Sequence, residues 1–292
     1  MIPKGTILII GGSEDKEDGQ EPEMKSKNKD FEQFEVLKEL LPINGGTRRI
    51  EVITTASDDP GKISRMYKTA FNKIGYKDVG FLNIKDKQHS AIKKACKRVK
   101  KAHAIFFTGG DQFKLSAILG GTEFVAAIKE KYYKDKNFVV AGTSAGAMVM
   151  SEIMISEGGV EEALLKKDLK TSAGLGIIGT CIVDTHFIKR GRFVRLAHAV
   201  ITNPETLGIG LGEDTSLLIK KGNEAQCKGS GTVVIIDGKT INRTNITEAD
   251  NETPIFVEDL KVHLLAKGIK FLLKERKLDG KIKMKKRNDK PK

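Results

Sequence analysis

The 292-residue chain has room for two average domains or one large α/β domain, and its 39% hydrophobic and 30% charged residues suit a globular protein whose core needs no disulfide or metal staple. No run reaches the roughly 18 apolar residues of a membrane span, and Met1-Ile2-Pro3-Lys4 lacks a signal-peptide layout, so a cytoplasmic protein without a membrane partner is expected. The 51 basic and 38 acidic residues leave a net charge of +13, but much of the excess crowds into Lys277 to Lys292, which has no aromatic to stack on a base, so a solvated tail is expected rather than a nucleic-acid arm.

Thr6 to Ile10 is a β-branched run ended by Gly11-Gly12 and reads as a buried parallel strand. Ser13 to Asp30 reads as a polar loop, and Phe31, Phe34, Leu37 and Leu41 as a helix stopped by Pro42. Asn44-Gly45-Gly46 turns the chain into a strand over 50–54. Asp59-Pro60 then opens a helix with Ile63, Met66, Tyr67, Ala70, Phe71 and Ile74 at helical spacing. Strands over 80–84, 104–108 and 138–142 alternate with helices over 91–102, 113–119 and 123–132, a rhythm that predicts parallel strands with right-handed crossovers. Beyond residue 150 strands are predicted over 180–184, 207–211, 216–219, 232–237 and 262–265, with turn signals that imply antiparallel pairing. The expected fold is α/β: a mostly parallel central sheet with helices on both faces and antiparallel additions in the C-terminal half. It forms one domain over 1–276, followed by a basic, disordered tail over 277–292.

Chemistry concentrates at Phe138-Val139-Val140-Ala141-Gly142-Thr143-Ser144-Ala145-Gly146-Ala147, an apolar strand running through G-x-S-x-G into a short helix. Small neighbours allow the sharp strand-to-helix turn that lifts a nucleophilic hydroxyl above a sheet, against the plainer reading of a serine that caps a helix. A serine needs a base. Of the five histidines, His186 ends the run Ile182-Val183-Asp184-Thr185-His186 at the carboxyl edge where an open parallel sheet collects its functional groups, and Arg190, Arg192 and Arg195 follow. Thr108-Gly109-Gly110-Asp111-Gln112 ends another strand, and the N–H of Gly109 or Gly110 with that of Ala145 suits an oxyanion hole. Gly11-Gly12-Ser13-Glu14-Asp15-Lys16 has neither phosphate-loop spacing, so no nucleotide is expected. Cys96, Cys181 and Cys227 lie far apart without a CxxC pair, so neither a disulfide framework nor a zinc site is expected, and serine-nucleophile chemistry calls for no cofactor.

In their order, Gly11-Gly12 with Glu14-Asp15-Lys16, Ile53-Thr54-Thr55-Ala56-Ser57, Gly109-Gly110-Asp111-Gln112, the Ser144 pentapeptide, Asp184-x-His186-Phe187 with its three arginines, and Gly208-Ile209-Gly210-x-x-Glu213-Asp214-Thr215 resemble the cyanophycinases over about residues 5 to 275. These are serine peptidases similar to aspartyl dipeptidases, with a class I glutamine-amidotransferase-like, flavodoxin-like α/β sandwich. The resemblance implies Ser144 as nucleophile and His186 as general base. It also implies an orienting glutamate between them, for which Glu162 is preferred by spacing and Glu161 comes next. Gly110 and Ala145 form the expected oxyanion hole. The substrate implied is cyanophycin, polyaspartate with an arginine on each β-carboxyl, cleaved to β-Asp-Arg dipeptides. Arg190, Arg192 and Arg195 suit its carboxylates, and Asp184, Asp111, Glu213 or Asp214 its guanidinium groups, with Gln112 and Thr185 nearby. An ion-pair network that shapes the pocket is the rival for the arginines, and a capped turn for Glu213-Asp214-Thr215. The family has glutamine where this chain has Thr185, which bears on polymer specificity. Fold analogy implies a homodimer. A hydrolase of small Asp-containing peptides and a basic polyanion-binding protein are the alternative functions.

Overall fold

A computed structural model describes residues 1–16, 28, 31–42, 49–159 and 164–280. In chain order it contains β1 (Thr6–Ile10), α1 (Glu35–Lys38), β2 (Arg49–Ile53), α2 (Pro60–Lys73), β3 (Asp78–Leu82), α3 (His89–Lys101), β4 (Ala104–Phe107), α4 (Gln112–Leu119), α5 (Glu123–Lys134), β5 (Val139–Thr143) and α6 (Ala145–Met148). There follow β6 (Ile153–Gly158), β7 (Leu169–Ala173), β8 (Cys181–Asp184), α7 (Phe193–Thr202), β9 (Leu207–Leu211), β10 (Thr215–Lys220), β11 (Glu224–Gly229), β12 (Val233–Asp237), β13 (Arg243–Thr244), β14 (Val257–Glu258), β15 (Lys261–Leu265), β16 (Lys270–Leu272) and β17 (Lys277–Leu278).

The central sheet has the order β17-β16-β11-β10-β1-β5-β4-β2-β3. The five strands from β1 to β3 are parallel, and β10, β11, β16 and β17 extend the sheet antiparallel beyond β1. Because side chains alternate across a strand, Ile7 and Ile9 enter one core while Leu8 and Ile10 enter the other, and β4 divides Ile105 and Phe107 from Ala104 and Phe106 in the same way. One face is covered by α1 and α2, whose Tyr67 and Phe71 rings pack on Phe106. The other is covered by α3, α4 and α5. Asp59 caps α2 by accepting the Lys62 amide at 2.9 Å, and Pro60 sits where its missing N–H costs nothing. No helix among the described residues is long and apolar enough to cross a membrane.

The five strands predicted beyond residue 150 all form, but they do not all flank the parallel sheet. Strands β15, β12, β9 and β8 make a second, four-stranded sheet, in which β8 and β9 are parallel and joined through α7. The chain leaves this sheet at Leu211 and enters the central one at Thr215, so residues 212–214 bridge the two. Helix α7 adds to the predicted elements: Phe193, Leu196, Ala197, Val200 and Ile201 recur at helical spacing, although Arg192 at its N-cap makes no side-chain cap. The predicted helix around Phe31 to Leu41 shortens to Glu35–Lys38. The expected boundary at 276 falls inside a hairpin, because Lys277 and Leu278 pair with β16; most of the basic tail lies outside the described residues.

Strand β2 carries a charge inward. Glu51 is wholly buried and accepts Arg49 Nε at 2.8 Å and Arg98 Nε at 3.0 Å, while Arg98 Nη2 grips its second oxygen. A Cβ at Gly80, on the neighbouring β3, would overlap this pair. Removing one member of a buried pair leaves the other charge unpaired, so Glu51→Ala should cost about 3 kcal/mol in urea unfolding, a value kept low by the partial exposure of both guanidinium groups. A loss below about 1 kcal/mol would place the pair with ordinary surface salt bridges.

Candidate active site

Three successive carbonyls at the end of β1 hold three segments that meet from different parts of the chain. The Ile10 oxygen accepts the Ser144 amide at 3.0 Å, the Gly11 oxygen that of His186 at 2.8 Å, and the Gly12 oxygen that of Asp214 at 2.9 Å. All three recipients have positive φ, at 53°, 49° and 47°, a region costly for residues with a Cβ and kept only where surroundings enforce it. Strand register explains the first contact, since Ile10 is paired with Thr143 in the parallel β1–β5 ladder. The other two arise where the second sheet abuts the first.

Ser144 stands between β5 and α6, half-buried, in the strained turn its pentapeptide predicts. Backbone crowding is severe: a Cβ at Gly142 would overlap the Gly146 carbonyl, and one at Gly146 the Phe107 carbonyl. The serine Oγ lies 3.0 Å from His186 Nε2. On the far side of the ring, Nδ1 lies 2.7 Å from Glu213 Oε1. Glu213 also accepts Ser13 Oγ at 3.2 Å on the same oxygen and Lys189 Nζ at 3.1 Å on the other.

The carboxylate that meets His186 among the described residues is Glu213; Glu162 and Glu161, the expected orienting residues, lie outside them. Strands β8 and β9 are parallel neighbours in which Asp184 pairs with Gly210, so the residues just after their carboxyl ends come side by side. A search confined to the chain between serine and histidine overlooks Glu213. Its signal was a glutamate two residues beyond a buried apolar strand.

Burial pushes the His186 pKa down, the hydrogen bond that the ring donates to Glu213 pushes it back up, and Arg190 and Arg192 add to the depression, leaving it below the ordinary 6.5. Burial raises that of Glu213, but hydrogen bonds with His186 and Lys189 outweigh it and hold the carboxyl below its usual value. This pair suits proton transfer, with a neutral imidazole facing the hydroxyl and an anion behind it. Its neighbour Asp214 turns inward. There burial, with Glu14 and Asp15 nearby, raises its pKa to about 6 despite hydrogen bonds from Ser230 and the Asp15 amide.

The Gly109-Gly110 loop comes close to the serine: a Cβ on Gly109 would lie 3.3 Å from Ser144 Cβ and 3.7 Å from its Oγ. Gly110, at φ 136°, backs onto the Ala56 carbonyl. The amides of Gly109, Gly110 and Ala145 have no hydrogen-bond partner among the described residues. Asp111 uses its carboxylate to cap α4, accepting the Phe113 and Lys114 amides at 2.8 and 3.1 Å, and Gln112 follows half-buried.

The polar residues around His186 divide into two groups. Asp184 is wholly buried and taken by two guanidinium groups: Arg195 grips it with Nε at 2.6 Å and with Nη2, and Arg192 Nη1 approaches at 3.2 Å. Arg192 also donates to the Thr185 carbonyl at 2.8 Å, and Arg195 to that of Gly158 at 3.1 Å. The Asp184 carboxylate is thus not free for a ligand guanidinium, and Arg192 and Arg195 form the ion-pair network weighed as their rival role. The Thr185 hydroxyl is buried without a partner among the described residues. Arg190, by contrast, is exposed, and its guanidinium has no ion-pair partner among the described residues.

Gly12 is the glycine that backs directly onto the imidazole. At φ 96°, a Cβ there would overlap the His186 ring. Gly12→Ala should displace the imidazole from Ser144 and slow reaction of the serine with a fluorophosphonate by at least about tenfold while circular dichroism is unchanged. An unaltered rate would mean that the ring can shift without losing its contacts.

A model of peptidase family S51 matches residues 24–227. The cyanophycinase of Geminocystis herdmanii is 35% identical over 269 residues, covering 92% of this chain and 93% of that protein. Those of Synechococcus elongatus and Trichormus variabilis are each 32% identical, covering 91% and 94% of this chain and 78% and 87% of theirs. Among solved structures, a peptidase from an acI-B1 actinobacterium superposes with a TM-score of 0.61 at 21% identity, covering 92% of this chain and 97% of its own. A putative peptidase E from Listeria monocytogenes gives 0.52 at 16% identity, covering 78% and 99%. The family match over most of the chain and the extent of these likenesses make the chain a member of peptidase family S51, a serine-type peptidase.

Proposed function

We propose that the protein hydrolyses cyanophycin, the arginine-bearing polyaspartate, to β-Asp-Arg dipeptides through an acyl-enzyme. The observation that carries the mechanism is the hydrogen-bonded chain Ser144–His186–Glu213 at a strained strand-to-helix turn. The substrate is inferred from the cyanophycinases to which 91–94% of the chain aligns.

In this mechanism His186 Nε2 takes the proton of Ser144 Oγ as the oxygen attacks the scissile carbonyl, and Glu213 steadies the imidazolium through Nδ1–H. The oxyanion is received by the Ala145 amide with that of Gly109 or Gly110. His186 then protonates the leaving amine, and water, deprotonated by the same ring, hydrolyses the ester to regenerate the serine. No metal or organic cofactor enters these steps. Arg190 is the cation left to meet an arginyl carboxylate of the substrate, while Arg192 and Arg195 hold Asp184 and the wall that carries His186. A soluble homodimer in the cytoplasm is the setting proposed.

Release of β-Asp-Arg from purified polymer, followed by mass spectrometry beside Asp-X dipeptides, tests the substrate. Cleavage of the dipeptides alone would favour a small-peptide hydrolase, and cleavage of neither would favour the polyanion-binding alternative. Ser144→Ala should abolish turnover by several orders of magnitude, and Glu213→Gln should cost less, because triad members act as a unit but unequally. Glu213→Gln with full kcat would return the orienting role to Glu162 or Glu161.

The pH profile supplies a separate check. A depressed His186 pKa keeps the ring neutral to lower pH, so the acid limb of kcat/KM should fall below 6.5. Since Arg190 disfavours the imidazolium, Arg190→Gln should move that limb upward. A limb that stays put or moves down would contradict the proposed electrostatic role of Arg190.

A further inference from the structure

Within 129 residues of sequence separation, one buried carboxylate ties the loop after β1 to the strand that presents the serine. Glu14 is almost completely buried. Its Oε2 accepts the Thr143 hydroxyl at 2.6 Å, and Thr143 immediately precedes Ser144. Its Oε1 accepts the Tyr67 hydroxyl, from α2 on the opposite wall, at 2.5 Å. Lys16 Nζ lies 3.7 Å from Oε1 and donates to the Glu14 carbonyl at 3.0 Å. A buried carboxyl ordinarily takes a proton, yet Lys16 and the two hydroxyl donors outweigh burial and hold Glu14 below its usual value. It is therefore an anionic acceptor, and hydrogen bonds to an ion are roughly twice as strong as neutral ones.

Resting on the reading of Ser144 as nucleophile, we propose that Glu14 is a positioning residue for the nucleophile, clamping Thr143 so that Ser144 keeps its strained positive-φ conformation and its alignment with His186. The same loop supplies the other restraints: the carbonyls of Gly11 and Gly12 fix His186 and Asp214, and Ser13 donates to Glu213. Glu14 adds the restraint on the serine side, through a side chain rather than the backbone. Without it, the turn at Ser144 relies on the Ile10 carbonyl and the crowded glycines to resist relaxation towards an ordinary φ.

The test compares Thr143→Val, nearly isosteric but without a donor, Thr143→Ser, which keeps the donor, and Glu14→Gln, which removes the charge. The readouts are kcat, KM, thermal midpoint and the rate of serine inactivation by a fluorophosphonate, the last independent of the natural substrate. Thr143→Val and Glu14→Gln should each lower kcat and the inactivation rate about tenfold or more with KM within about twofold, and Thr143→Ser should restore both rates. The double variant should be no slower than the slower single variant, because both changes remove one interaction. Unchanged rates in folded variants, or losses that multiply in the double variant, would overturn the proposal. If Thr143→Val does not fold, Tyr67→Phe, which strips the other donor from Glu14, carries the test: a fall of about threefold or more in the inactivation rate is expected, and an unchanged rate rejects the clamp. A wild-type protein whose Ser144 does not react at all would reject the nucleophile reading itself, whereas a reactive wild type with equally reactive variants rejects only the role of Glu14.

Discussion

Three backbone hydrogen bonds from the end of β1, to Ser144, His186 and Asp214, are the constraint on which the site depends. Each recipient holds a positive φ, which for a residue with a Cβ costs of order 1–3 kcal/mol. A backbone hydrogen bond contributes about 1 kcal/mol net, so no single bond could hold such a turn against relaxation. What holds them is their common origin in one strand that is paired on both sides, by β5 and β10, and therefore cannot move to follow any one of them. The strain is met by the stiffness of the central sheet.

Two glycines make that arrangement possible, for steric reasons. A side chain at Gly11 would collide with the Gly212 carbonyl, and one at Gly12 with the imidazole. The second sheet can therefore bring its strand ends directly against the first. Glu213 lies on the short bridge between the two sheets, beside Asp214, whose carboxyl is locked by the Asp15 amide and Ser230. The outward glutamate and inward aspartate follow from a single residue of reversed φ.

The charges around the imidazole are similarly divided between holding and facing solvent. Asp184 with Arg192 and Arg195 forms a buried knot beneath the loop that carries His186, anchoring it to the Gly158 carbonyl. Breaking one member would leave an unpaired charge inside, which is why such a knot orders its surroundings whatever its net contribution to stability. Arg190 and Lys189 remain outward, Lys189 paired with Glu213.

Much of this was legible in the chain. The alternation of strand and helix through residue 142, the serine turn, and the histidine at a strand end follow from local periodicity and from small residues flanking Ser144, and these are properties that short segments carry by themselves. The glutamate on His186 was not legible in that way, because Glu213 is 27 residues from its partner and meets it only through the parallel pairing of β8 with β9. Nor could the sequence distinguish arginines that hold Asp184 from one that faces solvent, since Arg190, Arg192 and Arg195 differ in role only by the start of α7 and the direction each side chain then takes. The loop Gly11 to Lys16 has no phosphate-loop spacing and carries only a family motif in sequence, yet it touches His186, Glu213 and Asp214 directly and the serine's neighbour Thr143 through Glu14. Local pattern determines which elements form; which strand ends become neighbours, and hence which carboxylate meets which imidazole, is decided by packing two sheets together, a long-range choice that no short window of residues encodes.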